Sequence, residues 1–110
     1  MKRSVIITAA AAIIAVSQPV LAKGDIAAGK EKSTLCVACH GADGNSPTLQ
    51  FPRIAGQHAD YLKKSLEEYK SGARNNPIML GIASQLSEED MENLSAFFAA
   101  QKGPLTTLSK

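Results

Sequence analysis

The chain has 110 residues, with 12 lysines and arginines against 10 aspartates and glutamates, two cysteines and no tryptophan. That is material for one small domain with a marginal core, so a packed-in cofactor would help it fold. The basic excess rests on Lys2 and Arg3; without them the charges balance at 10 of each, and no basic stripe remains to bind nucleic acid.

Residues 1–22 read as an export signal. Lys2 and Arg3 give a basic start, Val5 to Val16 an uncharged apolar run, and Ser17-Gln18-Pro19 a breaker before Val20-Leu21-Ala22. Cleavage after Ala22 is expected, which leaves a domain of residues 23–110 in the periplasm with no stable membrane insertion. An uncleaved anchor is the alternative, because the charge-free stretch Ser4 to Ala22 approaches the ~20 residues that span a bilayer. Pro19 and the polar pair before it cut the apolar core short of that.

Three helices are predicted in the remainder, with no alternating run long enough for a strand. The first runs from about Asp25, a capping residue, to about Ala38. Gly29 inside it costs up to ~1 kcal/mol and marks a place where another backbone comes close. The second is HADYLKKSLEEYKSG, with Leu62, Leu66 and Tyr69 on one stripe, Tyr61 beside it and Gly72 as a stop. Lys63/Glu67 and Lys64/Glu68 can pair on its solvated side. The third begins at Ser87, with Asp90 placed for a capping box and Met91, Leu94 and Phe98 on its apolar stripe, and closes at Gly103-Pro104. Two long irregular stretches, Gly41 to Gln57 and Ala73 to Leu86, need something to wrap.

The first helix runs into STLCVACHGADG, which holds both cysteines and a histidine directly behind them. A disulfide between Cys36 and Cys39 would close a very small loop, constrain the unfolded chain little and leave His40 without a task. Zinc needs four ligands, and the only other histidine is His58. A thioredoxin-like exchange site wants a strand-rich setting that is missing here. C-x-x-C-H is the signature of covalent c-type haem attachment: residues three apart on a helical turn point the same way, so both thiols reach the vinyl groups of one porphyrin. His40 then supplies the proximal imidazole. Only this assignment employs all three residues, and the haem completes the core.

For the other face of the iron the candidates are Met79, Met91, His58 and the lysines. Met91 belongs to the apolar stripe of the third helix and is expected in the core. His58 sits near the start of the second helix and leaves little chain to pass round a porphyrin. Met79 lies in RNNPIMLGIASQLS, an expected loop with proline before it and glycine after it, and is the expected sixth ligand, with His58 next. A thioether opposite an imidazole raises the reduction potential relative to two imidazoles.

The stretches DIAAGKEKSTLCVACHGADGNS, FPRIAGQHADYLKKSLEEYKSGAR and MLGIASQLSEEDMENLSAFFAAQ resemble class I cytochrome c, in its small bacterial periplasmic single-haem branch. The chain as a whole is similar to one half of the periplasmic dihaem cytochromes c. The resemblance covers Asp25 to Gln101 and implies an all-α class I fold: three main helices with long loops wrapped around one covalently bound haem. Residues 23–110 would then form a cytochrome c domain. Carried over position by position, Cys36 and Cys39 become the thioether residues, His40 the proximal ligand and Met79 the distal one. The resemblance further implies that Pro52 offers its backbone carbonyl to the other nitrogen of His40, and that Gly29 lets the first helix cross the last near Phe97 or Phe98. Only one C-x-x-C-H is present, so the chain departs from the dihaem pattern. The charge balance also lacks the basic docking ring of the mitochondrial members.

The expected function is a periplasmic one-electron carrier without enzymatic activity, monomeric or weakly dimeric. Its partners would be a respiratory reductase, a terminal oxidase or a periplasmic dehydrogenase. Two alternatives stand beside it: the haem subunit of a larger respiratory or dehydrogenase complex, and a gas-sensing haem protein. Arg53 and Arg74 are candidates for pairing with haem propionates, with solvated arginine as the alternative for each.

Overall fold

A computed structural model describes residues 1–15 and 24–106. Residues 1–15 form no regular element, and the expected cleavage point after Ala22 lies outside the described residues. Among the described residues every regular element is helical: α1 (Ile26–Lys32), a 3-10 turn (Ser33–Leu35), α2 (Val37–His40), α3 (Ala59–Ser71), α4 (Pro77–Ala83) and α5 (Glu88–Ala99). No helix among them is long and apolar enough to cross a membrane.

The expected first helix is broken. Asp25 caps α1 by accepting from the Ala28 amide at 3.1 Å, but the helix ends at Lys32. The cause is local chemistry at Ser33-Thr34. The buried Ser33 hydroxyl donates back to the Lys30 carbonyl at 2.6 Å, competing with the helical ladder. The chain tightens into the 3-10 turn and restarts as α2, which reorients the cysteine pair relative to α1.

α1 crosses α5 in direct backbone contact. A Cβ on Gly29 would lie 2.0 Å from the Asn93 carbonyl oxygen and 2.8 Å from Phe97 Cβ, a space only glycine leaves open. Asn93 Oδ1 also accepts from the Asp25 amide at 2.8 Å, and Lys32 pairs with Asp90 at 3.2 Å. The crossing is therefore stitched along its length.

α5 starts with the anticipated capping box: Ser87 Oγ accepts from the Asp90 amide and Asp90 accepts from the Ser87 amide. Its apolar face carries Met91, Leu94, Phe97 and Phe98, which form the core with Leu62 of α3 and Leu86. The Phe97 and Phe98 rings meet edge-on at 4.9 Å. Helix α5 ends at Ala99, short of Gly103-Pro104, because a turn closes from the Gln101 amide to the Phe98 carbonyl.

α3 ends as predicted at Gly72, a left-handed C-cap. Lys64 pairs with Glu68 on its surface. Lys63 pairs with Glu67 but also reaches Glu88 and Glu92 of α5, at 3.2 and 2.8 Å. That lysine ties α3 to α5 and is more than a solvated charge.

The second expected loop contains a helix. α4 is written PIMLGIA, and its proline and glycine read as loop signals. Pro77 in fact occupies the first turn, where its missing N–H costs nothing, and Asn76 Oδ1 caps the amides of Ile78 and Met79, both at 3.1 Å.

Candidate cofactor site

A cavity of about 650 Å³ opens between α2, α3, α4, α5 and the loop at residues 50–57. Its walls are largely apolar, with Ile54, Leu62, Leu66, Ile82, Leu94 and Phe98 among them. Cys36, Cys39, His40, Pro52 and Met79 line the same space. The folded chain thus brings Cys36, Cys39, His40, Pro52 and Met79 to one space.

α2 explains how one turn presents three functional groups. The Cys36 carbonyl accepts from the amides of both Cys39 and His40, at 3.3 and 2.9 Å, winding the motif into a single tight turn. Gly41 then turns the chain away at positive φ. The loop that follows is bound back onto this turn: Ser46 Oγ bridges the carbonyls of Cys39 and Thr48. The Gly44 carbonyl takes the amides of Ile54 and Ala55. This fastening carries Pro52 to His40.

His40 is 8% exposed, and its Nδ1 lies 2.8 Å from the Pro52 carbonyl oxygen. A carbonyl only accepts, so Nδ1 carries the proton and donates it. In the neutral ring Nε2 is then left with a bare lone pair, the tautomer of a metal-ligating histidine. Cys36 and Cys39 are unjoined thiols, the first half-buried and the second at its side. Burial pushes the Cys36 thiol up to about 11, with Cys39 adding to the effect. A neutral thiol against an apolar wall suits addition to a hydrophobic ligand better than a role as an exposed reactive thiolate.

Met79 stands in the first turn of α4 on the cavity side, half-buried, on a helix and not on the expected loop. Met91 is in the core, 5% exposed, as its stripe predicts. His58 is exposed at the N-cap of α3 and does not line the cavity. Among the described residues no three of His, Cys, Asp and Glu cluster to hold a metal ion.

Three lining residues carry no site signal in the sequence: Tyr61, Tyr69 and Ser95. The tyrosines show there only as the flank and end of an apolar stripe. Ser95 is 2% exposed and its hydroxyl has no hydrogen-bond partner among the described residues, a polar orphan on the cavity wall. Two thiols, an imidazole with a free Nε2 and a thioether in one apolar cavity form a donor set that fits an iron porphyrin held through sulfur.

The fold and this site define an all-helical domain built around a covalent porphyrin. Residues 26–102 match the family model for cytochrome c. The cytochrome c4 of Pseudomonas aeruginosa is 48% identical over 81 residues, covering 74% of this chain and 40% of that protein. Cytochrome c-554(548) of Halomonas halodenitrificans is 40% identical over 82 residues, covering 72% of this chain and 99% of that protein. A thiosulfate dehydrogenase electron acceptor of Stutzerimonas stutzeri is 46% identical over 70 residues, 63% of this chain and 32% of its own. Among solved structures, reduced recombinant cytochrome c4 from Pseudomonas stutzeri superposes with a TM-score of 0.69 at 43% identity, covering 73% of this chain and 47% of that one.

The chain belongs to the cytochrome c family. It spans about half or less of the length of the cytochrome c4 proteins it matches. The all-α class I fold expected from the sequence is the fold it has, and a cytochrome c domain carries a covalently attached c-type haem.

Proposed function

We propose that this chain is an exported one-electron carrier. Its haem is joined to the sulfurs of Cys36 and Cys39, and its iron is held between Nε2 of His40 and the thioether of Met79. One observation carries the proposal: the Nδ1 proton of His40 is committed to Pro52, so the bare Nε2 shares a cavity with both thiols and with Met79. When bound, the haem supplies an Fe(III)/Fe(II) couple.

The chain's own residues do the rest. Pro52 orients the imidazole and strengthens it as a donor. The cysteine pair prevents loss of the group, and the apolar walls keep water from the metal. Met79 would complete the metal's ligand set together with His40, and the proposal accordingly includes no enzymatic turnover. Residues 1–22 are removed on export, and the domain acts in the periplasm as a monomer or weak dimer. The similarity to a thiosulfate dehydrogenase electron acceptor supports a periplasmic dehydrogenase as electron source, either free or in a complex with this chain. A respiratory reductase or terminal oxidase completes the circuit.

The test is an optical spectrum and redox titration of the periplasmic fraction, repeated with Met79→Ala. The variant should keep its haem through acid–acetone extraction and lose the sulfur–iron charge-transfer band of the ferric form. Persistence of that band would exclude Met79. Ready binding of carbon monoxide by the reduced parent protein would favour a gas sensor instead.

A further inference from the structure

The cavity wall holds a polar group that the function proposed above does not use. Ser95 lies in α5 between Leu94 and Phe98, 2% exposed, and its hydroxyl has no hydrogen-bond partner among the described residues. Other helical serines behave differently. Ser33 donates to the Lys30 carbonyl at 2.6 Å, Ser65 to that of Tyr61 at 2.9 Å, Ser71 to that of Glu68 at 3.2 Å, and Ser84 to that of Leu80. Each returns its proton to the preceding turn, the ordinary recourse of a serine in a helix. Ser95 does not, so no described group fixes the direction of its O–H bond.

Its polar neighbours are engaged elsewhere. Glu92, one turn earlier in α5, is bound by Lys63 at 2.8 Å. Ser65, on the α3 side of the cavity, has committed its proton to Tyr61. Leu62, Leu66, Leu94 and Phe98 line the cavity with Ser95, so its dipole acts through a weakly polarisable wall and reaches further than it would in water. Packing does not explain the hydroxyl. Alanine would fill nearly the same volume, favour the helix more and leave no polar atom sealed without a partner, a costly arrangement.

We propose that Ser95 sets the reduction potential: its unbound hydroxyl turns its oxygen towards the iron when the metal is ferric, and so holds the potential down. The inference rests on the electron-carrier reading above, since the haem supplies the charge to which the hydroxyl responds. The sign follows from electrostatics. A dipole free to rotate aligns with the local field and favours the state of larger charge. A porphyrin dianion leaves Fe(III) with one net positive charge and Fe(II) with none, so Ser95 stabilises the oxidised form. A hydroxyl already bound to a carbonyl, as that of Ser65 is, cannot reorient in this way. No bond forms or breaks at Ser95; only the direction of its O–H bond differs between the two oxidation states.

The test compares the haem-bearing parent protein with its Ser95→Ala and Ser65→Ala variants. The midpoint potential of Ser95→Ala should rise. Urea midpoints of the two oxidation states give an independent measure of the same effect. Ser95→Ala should stabilise the ferrous form, which loses an unpaired polar group and gains helix propensity, and should stabilise the ferric form less or not at all. Oxidised-minus-reduced infrared spectra should show the stretch of a free O–H group, shifted by deuteration, that vanishes in Ser95→Ala and survives in Ser65→Ala. A potential that is unchanged or lowered in Ser95→Ala, equal gains in urea midpoint for both oxidation states, or an O–H band that persists in Ser95→Ala or lies at a hydrogen-bonded frequency would overturn this inference and leave the electron-carrier proposal standing. Absence of covalent haem from the parent would overturn both.

Discussion

Replacing Gly29 with alanine puts two physical effects in opposition, and the structure decides between them. In an isolated helix interior alanine is favoured over glycine by about 1 kcal/mol. Here the new Cβ would stand 2.0 Å from the Asn93 carbonyl oxygen, 2.6 Å from its carbon and 2.8 Å from Phe97 Cβ, against an ordinary contact of 3.4–4 Å. Two of those three atoms are backbone of α5, so no rotamer change relieves the clash. α1 and α5 must separate by roughly an ångström or more along the seam that also carries the Asp25–Asn93 and Lys32–Asp90 contacts. Overpacking of this kind costs about 1–3 kcal/mol, and a rigid obstruction belongs at the upper end. Subtracting the propensity gain leaves a net loss of about 2 kcal/mol, which lowers a urea midpoint by about 1 M at a slope of about 1–3 kcal/mol per M. Gly81 in α4 is the control. It has no positive φ, and a Cβ added there would meet nothing within 4 Å, so Gly81→Ala should stabilise the protein by up to about 1 kcal/mol. Urea titrations of both holoproteins, followed by far-ultraviolet circular dichroism, test the pair. A neutral or stabilising Gly29→Ala at unchanged slope would refute the backbone contact between α1 and α5.

Other consequences are open to the same assays. Asn76→Ala removes the cap of α4 at a cost of about 0.5–2 kcal/mol, so under the proposed Met79 ligation the sulfur–iron band should bleach at lower urea than the helical signal; simultaneous loss would mean that α4 has no independent weakness. Ser87→Ala should cost about 1 kcal/mol of global stability through the lost capping box, read as a urea midpoint shift. The Ser87 amide, followed by Lys32, holds the Asp90 carboxyl below its usual range. A depressed value contributes stability that is present above the unfolded pKa of about 3.9 and lost as pH falls through the lower folded value. Asp90→Asn should therefore be less stable than the parent at neutral pH, and the gap should close in acid. Finally, if the proposed export signal is cleaved, Lys2 and Arg3 go with it and the remaining charges balance at 10 of each, so electron exchange with a protein partner should depend weakly on ionic strength in stopped-flow measurements.

Features written in contiguous residues are legible without coordinates. Cys36, Cys39 and His40 announce their chemistry because one helical turn brings them together whatever the rest of the chain does. The Ser87/Asp90 capping box and the Gly72 stop are equally local. Gly29 is legible as an anomaly: a costly residue inside a helix implies a neighbour, though only the fold identifies that neighbour as the Asn93 backbone. α4 is hidden because proline and glycine look like breakers, when Asn76-Pro77 is a cap followed by a first-turn proline. The break at Ser33 is hidden too, because it depends on whether a serine hydroxyl returns to its own backbone.

What the sequence determined by itself was the all-helical class, the attachment motif and its histidine, since spacing and residue chemistry specify these within a few positions. The tertiary structure alone decided that Lys63 spans to α5 and that Arg74 gathers Tyr61 and Tyr69, and it supplied the 2.8 Å geometry of the Pro52–His40 contact that only a family resemblance had implied. Each of these joins groups supplied by different segments. Their meeting is set by how helices and loops close around one apolar volume, a property of the packed whole that no short window of residues contains.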